Sequence, residues 1–181
     1  VLEFEREKIL RGINLEDGDP YYDHEQVPAE GKLYLPVSCQ HCDDSPCAQV
    51  CPTGATWMEP DGIVVIDYDW CIGCRYCMAA CPYGSRSFNW RDPRPSIAEL
   101  RPEFPSRSRG VVEKCNFCEE RLAEGKPPAC VEACQRDGGK AMAFGDLNDA
   151  SSDIHRRLRA EPSTQVRADL ALNTGVRYQG L

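Results

Sequence analysis

Cys71-Ile72-Gly73-Cys74-Arg75-Tyr76-Cys77-Met78-Ala79-Ala80-Cys81-Pro82 decides how the rest of this chain is read. Three cysteines spaced by two residues lie on one loop that can curl around a cubane iron-sulfur cluster. The fourth, three residues further on and followed by proline, is displaced by a helical turn and reaches a different cluster. The proline lacks an N–H and restricts the backbone of the cysteine before it.

Working upstream, Cys39-x2-Cys42-x4-Cys47-x3-Cys51-Pro52 is the same design with two extra residues before its third ligand. Two such runs ligate two clusters reciprocally. This assigns Cys39, Cys42, Cys47 and Cys81 to one 4Fe-4S cubane, and Cys71, Cys74, Cys77 and Cys51 to its neighbour. Gly54, Gly73 and Gly84 let the backbone come close to the clusters, where N–H groups bond to sulfur. Between the runs, Asp61-Gly62 reads as a turn into a short buried strand, Ile63-Val64-Val65-Ile66.

Downstream, Cys115-x2-Cys118-x11-Cys130-x3-Cys134 is less distinctive, because two spaced pairs also suit a tetrahedral zinc site. Beside the two cubane runs, a third cubane is the preferred reading, and it makes three clusters in the chain. Disulfides are disfavoured, since disulfide frameworks do not repeat C-x2-C pairs followed by Cys-Pro.

Composition agrees with a fold organised by ligands. The 181 residues include 12 cysteines, 14 glycines and 14 prolines, with 41% hydrophobic residues and a mean hydropathy of -0.51, so a large apolar core is not expected. No apolar run approaches the length of a membrane span. The net charge of -8 argues against nucleic acid as a partner, and three oxidised cubanes would add roughly six further negative charges. Arg75, Arg86, Arg91, Lys114, Arg121 and Lys126 lie near ligands, where a positive charge favours the reduced form of a cluster.

The expected organisation is an N-terminal arm and acidic loop over 1–38, a double-cluster unit over 39–91, a Pro/Arg-rich excursion over 92–110 suited to docking, a third-cluster lobe over 111–144, and a wrapping tail over 145–181 with a short helix near Ile154 to Leu158. Trp57, Trp70, Trp90, Tyr76 and Tyr83 are expected to fill a small core. His41, between two thiolate ligands, is read as a neighbour of the cluster or a surface residue rather than a ligand, and His24 and His155 as solvent-facing. The fold class is α+β, with tandem ferredoxin-like βαβ units around the clusters.

Nearly the whole chain resembles the four-cluster-type ferredoxin subunits that accompany molybdopterin oxidoreductases and membrane quinone modules, such as the B subunits of polysulfide, tetrathionate and dimethyl sulfoxide reductases. The resemblance rests on Cys39-Gln40-His41-Cys42 through Cys51-Pro52-Thr53-Gly54-Ala55, on Cys71 through Cys81-Pro82-Tyr83-Gly84, and on Glu113-Lys114-Cys115-Asn116-Phe117-Cys118 with Pro128-Ala129-Cys130-Val131-Glu132-Ala133-Cys134. Phe144-Gly145-Asp146-Leu147-Asn148-Asp149 is similar to the family's closing segment. That family has a further ferredoxin run upstream of the first block. The chain opens at Val1 rather than a methionine, so a leader or an upstream block is an expectation, and such a block would bring a fourth cluster and take Cys134 as its ligand.

The resemblance implies a non-catalytic electron-transfer subunit in a hetero-oligomeric complex. Its implied partners are a polytopic quinone-binding membrane subunit and either a multihaem cytochrome or a molybdopterin catalytic subunit. Similarity to exported subunits of sulfur-metabolism complexes implies a position peripheral to the cytoplasmic membrane, on its outer, periplasmic face, with the cytoplasmic face as the alternative. No nucleotide-binding fingerprint or nucleophile with its base is present in the sequence.

Overall fold

A computed structural model describes residues 35–100 and 107–180. The chain divides into two units, Val1–Ser38 and Cys39–Leu181, and all twelve cysteines fall in the second. The acidic loop, His24 and residues 101–106 of the Pro/Arg-rich segment lie outside the described residues.

Short elements alternate with ligand loops. Helix α1 (Pro46–Gln49) opens with a proline, which suits the first turn because its missing N–H has no helical partner there. Strands β1 (Thr56–Met58) and β2 (Val64–Ile66) pair antiparallel, with Thr56 opposite Ile66 and Met58 opposite Val64. The turn between them is closed by Gly62 at φ 85° and by Asp61, whose carboxylate accepts the Ile63 N–H at 3.0 Å. All three residues of β2 are buried, as the apolar run suggests. Asp67 then caps a second turn, accepting the N–H groups of Asp69 and Trp70, and delivers the chain into Cys71.

Helix α2 (Tyr76–Ala80) follows, then β3 (Ser87–Phe88), which pairs antiparallel with β4 (Val112–Glu113). Helices α3 (Glu119–Ala123), α4 (Ala129–Arg136) and α5 (Asp153–Ala160) complete the order. Helix α5 covers the expected Ile154–Leu158 and is capped by Ser152, whose hydroxyl accepts the His155 N–H. The architecture is α+β, built from small helices and two two-stranded antiparallel sheets. Helix α2 connects strands of different sheets, so among the described residues no parallel pair flanks it.

The core is small. Cys47, Val64, Cys77 and Val112 pack together, with Cys71, Met78 and Phe88 against them, so ligand cysteines supply much of the interior. The aromatic side chains expected there are elsewhere: Trp70, Tyr76 and Trp90 are 65, 62 and 64% exposed, and Trp57 is also exposed. Trp57 lies on the two-stranded β1–β2 ribbon, Trp70 and Trp90 sit beside turns, and Tyr76 opens α2, all outside the cluster of Cys47, Val64, Cys77 and Val112. Tyr83 alone is partly buried, with its hydroxyl donating to the Val166 carbonyl at 3.3 Å.

The tail folds back over the first cysteine block. Thr174 bridges Cys42, the Gly175 N–H donates to the Gln40 carbonyl at 2.8 Å, and the Asp43 N–H donates to the Asn173 carbonyl at 3.1 Å. His155 is half-buried rather than solvent-facing, with Nδ1 3.1 Å from the Leu147 carbonyl. Arg107, in the Pro/Arg-rich segment, is also buried: its guanidinium lies 4.0 Å from the Tyr68 ring centre and 3.8 Å from the Glu120 carboxylate.

Candidate functional site

None of the twelve cysteines is in a disulfide. The three C-x2-C loops share one backbone feature: the residue before the second cysteine has a left-handed conformation, His41 at φ 44°, Gly73 at 68° and Phe117 at 56°. A non-glycine residue in that region is uncommon, and in the first and third loops His41 and Phe117 adopt the conformation that the second assigns to a glycine. In the third loop Cys118 is left-handed as well, at φ 58°. At the residue before its second cysteine the third block shares the local geometry of the first two.

The Cys-Pro ends of the two runs also match. The Gly54 N–H donates to the Cys51 carbonyl at 3.2 Å and the Gly84 N–H to the Cys81 carbonyl at 3.3 Å, and both glycines have positive φ. Cys47 on α1 and Cys77 on α2, the third cysteines of the two runs, are both buried.

Cys51, Cys71, Cys74 and Cys77 line a single pocket, together with Thr53, Gly73 and Arg86. Three of these thiols come from one run and the fourth from the other. Burial opposes ionisation of Cys51, but hydrogen bonds from the Thr53 hydroxyl and from the N–H groups of Thr56, Thr53 and Ala55 outweigh it, and the thiol is held below its usual range. That pocket is prepared for a thiolate before any metal arrives.

Cys39, Cys42, Cys47 and Cys81 form the other electrostatic group. The Cys42 thiol is pushed up to about 11 by burial and then by the negative charges of Cys39, Cys47 and Cys81. Burial raises Cys39 and Cys47 as well, opposed at Cys39 first by Lys114 and at Cys47 first by Arg86. Thiols that repel one another when ionised are the pattern expected of ligands awaiting a shared cation.

Of the third block, Cys130 and Cys134 stand one turn apart on α4, and Cys115 and Cys118 flank the Phe117 turn, where the Cys118 N–H donates to the Asn116 side chain at 3.0 Å. Cys115 lies close enough to Cys39 to raise its pKa. Among the described residues no three His, Cys, Asp or Glu side chains converge at single-ion spacing. A tetrahedral zinc site gathers its thiolates at about 2.3 Å from one ion. A cubane needs a wider ring, with one thiolate on each iron.

Two buried side chains carry unspent donors. His41 is 2% exposed, so the surface alternative is overturned. Its Nδ1 accepts the Val64 N–H at 3.0 Å, its ring stacks on Phe117 with centres 3.7 Å apart, and Nε2 is buried without a partner. Burial, and next Lys114, lower its pKa to about 3, so the ring is neutral. Arg86 is 5% exposed, with Nη1 donating to Thr56 Oγ1 at 3.4 Å and Nη2 buried without a partner. Burial opposes its charge, but the negative charges of Cys47 and Cys77 outweigh burial and raise its pKa. The orphan donor of Arg86, which lines the pocket of the Cys51, Cys71, Cys74 and Cys77 thiols, fits a sulfide-bearing anionic cluster, whose sulfurs accept hydrogen bonds.

The remaining basic neighbours have other attachments. Lys114 donates to the Val64 and Cys115 carbonyls, Arg121 pairs with Glu132 at 2.7 Å, and Lys126 pairs with Glu124 at 2.6 Å. Arg75 is exposed and stacks over Trp90, 4.8 Å from its ring centre. Proximity in sequence to a cysteine did not separate Arg86 from these four or from the exposed Arg91. The one available signal was its position in the segment between the second Cys-Pro turn and the next strand.

A family model for a 4Fe-4S dicluster domain matches residues 31–95. The chain is 49% identical to the Hdr-like menaquinol oxidoreductase iron-sulfur subunit 1 of Archaeoglobus fulgidus, over 83% of this chain and 58% of the relative. It is 37% identical to a selenate reductase subunit of Mesobacillus selenatarsenatis, over 83% of this chain and 56% of the relative. It is 33% identical to the arsenate respiratory reductase iron-sulfur subunit of a Shewanella species, over 91% of this chain and 85% of the relative. The chain thus spans a little over half the length of the first two and most of the third.

Proposed function

Because this chain belongs to the family of ferredoxin-type iron-sulfur subunits of oxidoreductase complexes, we propose that it relays single electrons through three 4Fe-4S clusters between two redox partners. The carrying observation is the cavity lined by Cys51, Cys71, Cys74 and Cys77, in which one run lends its last cysteine to the other. The complementary set is Cys39, Cys42, Cys47 and Cys81, and the mutual electrostatic effect of these four supports it. Cys115, Cys118, Cys130 and Cys134 hold the third, a reading supported by the left-handed turn that their loop shares with the other two. When bound, a cubane supplies a one-electron couple whose potential depends on hydrogen bonds to its sulfurs, local charge and exposure.

The chain's own residues do the holding and tuning. The Cys51 pocket stabilises a thiolate, the left-handed residues shape the C-x2-C loops, and the Cys-Pro-x-Gly turns place the exchanged ligands. The matched turns and buried third cysteines of the two runs also support a tandem, pseudo-symmetric ferredoxin-like βαβ ancestry for residues 39–91. Partners follow from the relatives' names, which include a menaquinol oxidoreductase and two reductases. The proposed assembly is a hetero-oligomer with a polytopic quinone-binding membrane subunit and a haem- or molybdopterin-bearing subunit. No helix among the described residues is long and apolar enough to cross a membrane. We propose a position peripheral to the cytoplasmic membrane, on the outer face that the resemblance to exported sulfur-metabolism subunits implies.

Iron, acid-labile sulfide and zinc per chain on anaerobically purified protein test the central reading. About twelve iron and twelve sulfide with little zinc is the expected result. About eight iron with one zinc would remove the third cluster, and a colourless zinc protein would overturn the function outright.

A further inference from the structure

His41 stands between the first ligand block and the third, and three parts of the fold hold it there. Its backbone carbonyl accepts the Gly175 N–H of the returning tail at 3.1 Å. Its Nδ1 accepts the N–H of Val64 on β2 at 3.0 Å. One face of its ring lies on Phe117 of the third block, with centres 3.7 Å apart and planes 19° from parallel, and Phe117 in turn meets Phe144 edge-on at 5.4 Å. The whole residue is sealed from water. His41 and Phe117 occupy the same place in their two loops, and both are left-handed, at φ 44° and 56°. That backbone region is disfavoured for a bulky L-residue and persists where the surroundings over-determine it. Here each loop's left-handed residue is the other's packing surface.

Val64 joins the same two loops a second time. Its N–H goes to His41, and its carbonyl accepts from Nζ of Lys114, which also donates to the Cys115 carbonyl at 2.9 Å. One buried strand residue thus gives both of its backbone groups to two ligand loops that are distant in sequence. The second loop makes no such link through the matching position, where Gly73 has no side chain to offer. We infer that His41, a residue of the first ligand block, is a positioning residue for the third cluster: its ring seats the Cys115–Cys118 loop against the Cys39–Cys42 loop, so that the first and third clusters are held, and lost, as a coupled pair. This step rests on the proposed assignment of Cys115, Cys118, Cys130 and Cys134 to a cubane.

The test follows each cluster by EPR of reduced samples while a chelator removes iron anaerobically from the fully loaded chain. Cys81→Ala, Cys51→Ala and Cys134→Ala identify the signals of the first, second and third clusters. His41→Asn keeps a side-chain acceptor and a residue type tolerant of the left-handed region, but removes the ring. It should speed loss of the third cluster on the order of tenfold relative to the second, the scale of coupling between side chains in contact. His41→Phe returns a ring to Phe117 and should bring that rate back toward wild type, a rescue that general damage beside Cys42 would not show. Phe117→Leu should carry the effect the other way and speed loss of the first cluster. The double variant His41→Asn with Phe117→Leu should fall short of the product of the two single effects, because both remove one contact. A third cluster lost at the wild-type rate in fully loaded His41→Asn, or no rescue by His41→Phe, overturns the inference. Should His41→Asn fail to load, Phe117→Leu decides: faster loss of the first cluster supports the link, and an unmoved rate overturns it. A wild-type chain with fewer than three cubanes overturns the cluster assignment and this step together, whereas three cubanes with no effect crossing between the blocks overturns this step alone.

Discussion

Gly73→Ala offers a test of how tightly the second ligand loop is built. Gly73 has φ 68°, and a methyl group there would run into the Gly110 carbonyl oxygen and touch the Phe88 ring at 3.0 Å. Two costs add. The left-handed conformation disfavours an L-residue by about 1–2 kcal/mol, and forcing a carbon into packed surroundings costs about 1–3 kcal/mol more. The Gly110 carbonyl cannot simply yield, because residue 110 is tied to Asn89 through an N–H to carbonyl bond of 2.8 Å beside β3 and β4. Gly62 is the matched control: its φ is 85° and nothing lies within 4 Å of the added carbon, so Gly62→Ala should show the conformational cost alone. Thermal loss of visible absorbance, recorded anaerobically at one scan rate on cluster-loaded protein, reads the difference. For a chain of this size about 2–4 °C accompanies each kcal/mol, so Gly73→Ala should melt roughly 2–12 °C below Gly62→Ala. Equal melting of the two variants would refute the packing argument and leave only a glycine preference.

Exchange of ligands predicts that Cys81→Ala damages the cluster of Cys39, Cys42 and Cys47, whereas Cys51→Ala damages that of Cys71, Cys74 and Cys77; spectra of the two single variants should show losses at opposite clusters. With cysteines forming much of the small core, iron removal by chelator under air should abolish native circular dichroism, and an apo chain with an unchanged spectrum would contradict that dependence. Lys114→Met strands the buried Val64 carbonyl, so stability should fall by about 1–3 kcal/mol, read as faster loss of iron to chelator. Ser152→Ala removes the cap of α5 and should cost about 0.5–2 kcal/mol without changing iron content or cluster spectra.

The C-x2-C runs and the candidate ligands they offer were legible in the sequence because cysteine spacing is a local property: a C-x2-C loop must curl whatever surrounds it. Turn residues such as Asp61-Gly62, the apolar run of β2 and the helix around Ile154 were legible for the same reason. Burial was not, since it depends on which segments meet. Trp70, Tyr76 and Trp90 neighbour ligands in sequence yet face solvent, while His41 is sealed between Val64 and Phe117. Six basic residues lie near cysteines along the chain, but only the meeting of α1, α2 and the approach to β3 distinguishes Arg86, by removing it from water beside the pocket of ligand thiols. Likewise, the return of the tail to pair Thr174 with Cys42 is set by hydrogen bonds across more than a hundred residues, which no local pattern encodes. Sequence by itself determined the chemistry the chain can hold; tertiary structure decided which charges and donors are desolvated next to it, because desolvation is a property of packed neighbours.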